Sequence, residues 1–181
     1  MSQERKEKSS ASEKKEFIDT VISLKRVTKV TKGGKRFSFA ACVVSGNQTG
    51  SVGIGLGKGR EASLAVAKAT VRARKSLIPV AIRGATLPFP VQGRHGASTV
   101  IIRSASKGTG VIAGKAVRAV MMALGVTDVL TKAIGPSRSS QNVVKAALNA
   151  LAQCRSAERV AYLRGKSINQ VIKGGHHVEA Q

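Results

Sequence analysis

Residues 29–39 read Lys-Val-Thr-Lys-Gly-Gly-Lys-Arg-Phe-Ser-Phe. A Gly-Gly pair between β-prone runs is the turn of a hairpin, because glycine takes the positive φ that a tight turn requires. Outward from that turn, Val21–Thr31 alternates loosely and reads as one strand, and Arg36–Ser45 as the next. Phe37 and Phe39 then share a strand face by the period of two. Gly46–Gly50 turns the chain again, and Ser51–Leu56 (SVGIGL) is a third strand. A helix is expected over Glu61–Ser76, closed by Pro79, and a short helical turn near Phe17. The first half is therefore three antiparallel strands backed by one helix.

Pro79–Pro90, with Gly84 inside it, reads as a domain boundary. Beyond it lie a strand over Ala97–Ser104 (ASTVIIRS), a glycine-rich stretch Lys107–Gly114, and a helix Lys115–Leu124. That helix sets Val117, Val120, Met121 and Leu124 on one face and is stopped by Gly125. Val126–Ile134 is a further strand. Ser139 or Ser140 caps a last helix whose core face is Val144, Ala147, Leu148 and Leu151. The expected organisation is a disordered charged tail over 1–16, one domain over 17–83, a β-α-β-α domain over 84–158, and a tail over 159–181 ending in GGHHVEAQ. The fold class is α+β.

Charge decides the partner class. The 181 residues carry a net +22. Met1–Asp19 is neutral, with five basic and five acidic residues, whereas Thr20–Ala157 holds 22 basic residues against Glu61 and Asp128 alone. A body at about +20 repels itself unless a polyanion neutralises it, and nucleic acid is the expected partner. A membrane is not expected: no apolar run is long enough to span one, and no basic helix carries the Trp, Phe and Leu face of a surface binder. The N-terminal stretch is polar and charged rather than signal-like. Cys42 and Cys154 are far apart, with no histidine at metal-ligand spacing, and read as reduced thiols. Neither a metal nor a cofactor is expected.

Cations flank the hairpin turn with no carboxylate near them: Lys29, Lys32, Lys35 and Arg36 at the loop, Lys25 and Arg26 just before it. One or two lysines would be a solvated turn; this many, on a projecting tip, point to phosphate neutralisation and counterion release. With Gly33 and Gly34 they form the first set of candidate RNA-binding residues. Lys58 and Arg60, where the helix begins, form the second, since a helix N-terminus attracts phosphate. Lys68, Arg72 and Lys75 make a basic helical stripe, of which Arg72 and Lys75 are candidates, the alternative being simple solvated charges. Arg94, His95, Lys107, Lys115 and Arg118 are the candidates of the second half. Phe37 and Phe39 offer stacking surfaces, but two phenylalanines on one strand face more often belong to a core. The scarcity of other aromatics favours recognition of RNA by shape and backbone.

Catalysis is a poor fit. Gly108–Lys115 (GTGVIAGK) fails the P-loop spacing, and Ala116 stands where a Ser or Thr must ligate magnesium. Gly53, Gly55, Gly57 and Gly59 do not spell GxGxxG, and they are expected to let strand backbone approach RNA or bend. Ser104–Lys107 matches SxxK without its companion motifs. Two carboxylates in separate domains cannot supply a kinase's metal site or a general acid–base pair. The chain is expected not to be an enzyme.

Several blocks, in order, carry a resemblance: VTKGGKRFSF, GSVGIGLGKGREASLAVAKA, GTGVIAGKAVRAVMMALGVTDVLTKAIG and NVVKAALNAL, with RGKSI (Arg164–Ile168) as a weaker continuation. From Leu24 to Leu151 the chain resembles the bacterial family of small-subunit ribosomal proteins numbered five. The resemblance implies a first domain similar to a double-stranded-RNA-binding fold and a second with a left-handed crossover. It implies binding to small-subunit rRNA near the channel through which mRNA enters, contact with ribosomal proteins four and eight, and an influence on decoding accuracy. It places Lys29–Arg36 against rRNA close to the spectinomycin site, and the protein in the cytoplasm, bound to ribosomes. The sequence departs from the family where GPSRSSQN (Gly135–Asn142) replaces an Asn-Pro motif with a longer loop holding Pro136. Two alternatives are a free-standing RNA-binding protein or RNA chaperone and, more distantly, an enzyme similar to a small-molecule kinase.

Overall fold

The computed structural model describes residues 17–135 and 139–173. The charged segment 1–16, Pro136 and the terminal GGHHVEAQ lie outside the described residues.

The first sheet grows from the hairpin. β1 (Ile18–Thr31) and β2 (Gly34–Gly46) pair antiparallel along almost their whole length, β3 (Ser51–Gly59) pairs with β2, and a two-residue β4 (Ile78–Pro79) closes the order β1-β2-β3-β4. The sequence reading has three of these strands; β4 escaped it because two residues ending in proline carry no period. Among the described residues Phe17 is outside any helix and β1 starts at Ile18, with the Phe17 ring 5.1 Å from the Arg74 guanidinium; a helical turn just before Phe17 would lie outside the described residues.

α1 (Ala62–Lys75) lies across this sheet on a ladder of small residues. Its inward face is Ala65, Ala69 and Ala73, all fully buried, and β3 meets it with Gly53, Gly55 and Gly57. A Cβ on Gly53 would stand 2.4 Å from the Ala73 carbonyl oxygen, one on Gly55 1.9 Å from that of Ala69, and one on Gly57 2.0 Å from that of Ala65. These alternating glycines therefore serve helix–sheet packing, not an approach of backbone to RNA. Only a strand bare of side chains lets an alanine-faced helix sit this close.

The opposite face of the sheet is also covered. Cys42, Val44 and Val52 pack with α2 (Lys115–Leu124) and α3 (Ser140–Leu151) into one core that runs from Ile22 to Leu151. The Gln48 N–H donates to the Ala123 carbonyl at 3.0 Å, and the Gly50 N–H to that of Leu124 at 3.2 Å. Gly125 terminates α2 at φ 91°, and a Cβ there would meet the Gln48 carbonyl oxygen at 2.1 Å. The helix stop thus also joins the two halves.

The second sheet has the order β5-β6-β8-β7, from β5 (Val91–His95), β6 (Ser98–Ser104), β7 (Val111–Ile112) and β8 (Val129–Ile134). β7 runs parallel to β8, joined through α2, and the other pairs are antiparallel. The expected strand–helix–strand–helix succession is β6, α2, β8, α3, with β5 and β7 added. Both additions are glycine-broken or two residues long, and neither shows a period in the sequence. β8 begins at Val129 rather than Val126, because Asp128 turns back to bind the preceding loop.

The stretch after residue 158 is not a bare tail. α4 (Ala157–Arg164) is capped by the Ser156 hydroxyl, which accepts from the Arg159 N–H, and ends on left-handed Gly165. α5 (Ile168–Lys173) follows a reciprocal capping box, in which Ser167 and Gln170 exchange side-chain and backbone bonds. Both helices are short, eight and six residues, which leaves a periodicity reading too few turns to find them.

Candidate nucleic-acid interface

β3 pairs with β2 only from Phe39 inward, so five rows of β1 and β2, from Val27 opposite Ser38 to Thr31 opposite Gly34, leave the sheet as a free two-stranded ribbon. At about 3.4 Å per residue this ribbon is about 15 Å long. Gly34 sits at φ 141°, and the Thr31 hydroxyl donates to its carbonyl at 3.0 Å. Lys32 and Gly33 form the tip.

Register sorts the cations. Residues directly opposite on paired strands share a face. Lys29 faces Arg36 across the ribbon, and Ala40 lies between Lys25 on β1 and Lys58 on β3. These four cations form one track. It continues, outward, the sheet face that the second half covers lower down. The other face carries Arg26, Val30, Lys35 and Phe37. All six hairpin and ribbon cations, and Lys58 and Arg60, are exposed.

Among the described residues no carboxylate pairs with them. Among the described residues the one ion pair joins Arg74 to Asp19 at 2.5 Å, on the flank of α1 away from the tip. Asp128, an acidic residue of the second half, accepts from the Gly108 and Gly110 N–H groups at 3.0 Å each and from the Thr127 hydroxyl. Those bonds, the Gly110 bond first, hold its carboxyl below the usual aspartate range. The glycine-rich stretch that looks like a phosphate loop therefore wraps an internal anion, and its Gly108, Thr109 and Gly110 N–H groups are already used.

The remaining candidates are dispersed. The Arg72 guanidinium donates to the Leu56 carbonyl at 2.8 Å, and the Ser76 hydroxyl to that of Ile54 at 2.9 Å. Together they satisfy the β3 edge that short β4 leaves open, so Arg72 has a structural task that Lys75 lacks. Arg94 and His95 lie at the β5–β6 turn, where the Arg94 side chain donates to the Gly96 carbonyl. Lys107, Lys115 and Arg118 lie around β7, and Arg118 donates to the Val111 carbonyl at 3.3 Å.

Two features were invisible in the sequence. The outer face of the second sheet is open: Arg94, Arg103 and Lys132 alternate there with exposed Ile112, Leu130 and Ile134. A groove of about 1200 Å³ lies between residues 81–89 and α4–α5, with Ile82, Phe89 and Leu163 beside Arg83, Arg155 and Arg164, and no carboxylate lines it. Neither holds a nucleophile–base pair. No helix among the described residues is long and apolar enough to cross a membrane.

Comparison with known proteins gives matches over both halves of the chain. The family model described as "Ribosomal protein S5, N-terminal domain" matches residues 17–81, and "Ribosomal protein S5, C-terminal domain" matches residues 93–164. The chain is 52% identical over 150 residues to the small ribosomal subunit protein uS5 of Lawsonia intracellularis, covering 83% of this chain and 91% of that one. It is 48% identical over 156 residues to the uS5 protein of Syntrophobacter fumaroxidans, covering 86% and 93% of the two chains. The Bacteroides thetaiotaomicron uS5 protein is 45% identical over 159 residues, covering 88% and 92%.

Proposed function

Because the chain belongs to the ribosomal protein S5 family, we propose that it is a structural constituent of the small ribosomal subunit that binds rRNA through its basic ribbon. The observation that carries this reading is the track of Lys25, Lys58, Lys29 and Arg36, with Lys32 at the tip, reaching clear of the sheet with no carboxylate paired to it among the described residues. Each cation that meets a phosphate releases a condensed counterion, so the ribbon binds sugar-phosphate backbone strongly and without reading sequence. A ribbon of about 15 Å is long enough to enter a groove of folded RNA while the sandwiched sheet stays outside. The first half then acts as a double-stranded-RNA-binding-like module. Lys75 on α1 and Arg60 at its start add a second contact.

The second half serves as the protein-facing part, its β7–α2–β8 crossover left-handed as the family implies. Its open sheet face, with aliphatic side chains between Arg94, Arg103 and Lys132, suits protein neighbours, and ribosomal proteins four and eight are the partners we propose for it. The site lies near the channel through which mRNA enters, in a cytoplasmic ribosome, and there it contributes to subunit assembly and translational accuracy.

The test is sedimentation of the tagged protein from a cell lysate through a sucrose gradient after a high-salt wash. Co-migration with the small subunit, lost in Lys32→Glu/Lys35→Glu while the melting temperature holds, supports the reading. A soluble or salt-labile position returns the free-standing RNA-binding protein in its place. Melting that collapses together with binding would sink the assignment of the ribbon.

A further inference from the structure

Phe37 and Phe39 stand two residues apart on one strand face but have different surroundings. Phe39 packs against Ala41, Val43, Ala65 and Ala69 beneath α1. Phe37 lies beyond the last β2–β3 row, opposite Thr28 on the free ribbon, and is 50% exposed. No core claims it. Its companions on that face are Arg26, Val30 and Lys35, and the Arg26 guanidinium lies 4.7 Å from the ring centroid. Val30, a row further out, is 71% exposed.

A half-exposed aromatic ring, a planar cation over one of its faces and an ammonium further along the same strand face are the parts that hold a splayed-out base. The ring and the guanidinium plane each offer a stacking surface, and Lys35 sits where the adjoining phosphate would run. We propose that Phe37, with Arg26, is a stacking site for one unpaired nucleobase of the bound RNA. The ribbon then works with two faces: Lys25, Lys29, Arg36 and Lys58 take phosphates, and Phe37 takes a base from a bulge, loop or helix end. This rests on the RNA-binding reading above and adds to it a preference for unpaired residues. Base-paired duplex cannot fill the site, because its bases keep their faces inside the stack.

The chain has no tryptophan, so Phe37→Trp installs the one indole of the protein. The full-length variant is titrated at low ionic strength with a labelled duplex of about 16 base pairs, a length that spans a double-stranded-RNA-binding fold, and with the same duplex carrying a single bulged adenosine. Anisotropy reads binding, and indole quenching reads stacking. Both RNAs are expected to bind, with strong quenching by the bulged duplex alone. Phe37→Leu is expected to weaken the bulged duplex about tenfold, as loss of one stacked base does, and the plain duplex less than twofold. Equal quenching by the two RNAs, or equal weakening of both by Phe37→Leu, overturns the stacking site and leaves the phosphate track standing. Absence of binding to either RNA overturns both.

Discussion

Gly55→Ala tests what the glycine ladder of β3 is for. The added Cβ would stand 1.9 Å from the Ala69 carbonyl oxygen and 2.5 Å from the Ala73 nitrogen, where ordinary contact begins at 3.4 Å. The shortfall against the first atom is 1.5 Å, and both neighbours are backbone, so no rotamer change relieves it. α1 must lift, drawing Ala65 and Ala69 away from Ala41 and Val43. Overpacking costs about 1–3 kcal/mol, and a clash that backbone motion alone can relieve belongs at the upper end. A gap under the helix also forfeits dispersion contacts along its length. We expect a loss of about 3 kcal/mol, or about 6–12 °C in Tm for a chain of this size. The assay is thermal melting by calorimetry or circular dichroism, with RNA affinity measured by anisotropy below the transition. Gly33→Ala is the control, since nothing lies within 4 Å of a Cβ there, and it should melt within about 2 °C of the parent. A Gly55→Ala protein of unchanged Tm and reduced RNA affinity would refute the packing argument and return the glycines to RNA.

Asp128 makes folding pH-dependent. Its folded-state pKa lies below the ordinary value of about 3.8, so its contribution is present above that pH and is lost as pH falls through the lowered value. Asp128→Asn should therefore melt below the parent near neutral pH, with the gap closing in acid; a gap independent of pH would contradict a charge-based role. Burial pushes the Cys154 thiol up to about 11. It should react with iodoacetamide far more slowly in the native protein near neutral pH than in urea, as read by mass spectrometry. As pH rises from the ordinary 9.0 towards 11 the unfolded thiol ionises first, and stability should fall.

Much of this protein was legible in its sequence because the signals are local. Gly33–Gly34 between β-prone runs specifies the hairpin, and the four apolar positions of α2, with Gly125 behind them, specify a helix and its end. Turn chemistry and period act within about ten residues and need no partner. The excess of unpaired cations was equally plain, since charge is counted without knowing the fold. Tertiary structure decided which side of each element is in use. Gly53, Gly55 and Gly57 look like a site for close approach, and only the position of α1 shows that a helix makes that approach. Phe37 and Phe39 are equivalent by period, and only the point where β3 stops pairing leaves one packed beneath α1 and the other half exposed. Arg72 looks like any cation of a basic stripe until short β4 leaves the Leu56 carbonyl open for it. Lys25 and Lys58, 33 residues apart in the chain, join one track because both flank Ala40. Periodicity tells which residues share a face; what that face meets depends on contacts between distant segments, and no local pattern in the chain encodes those.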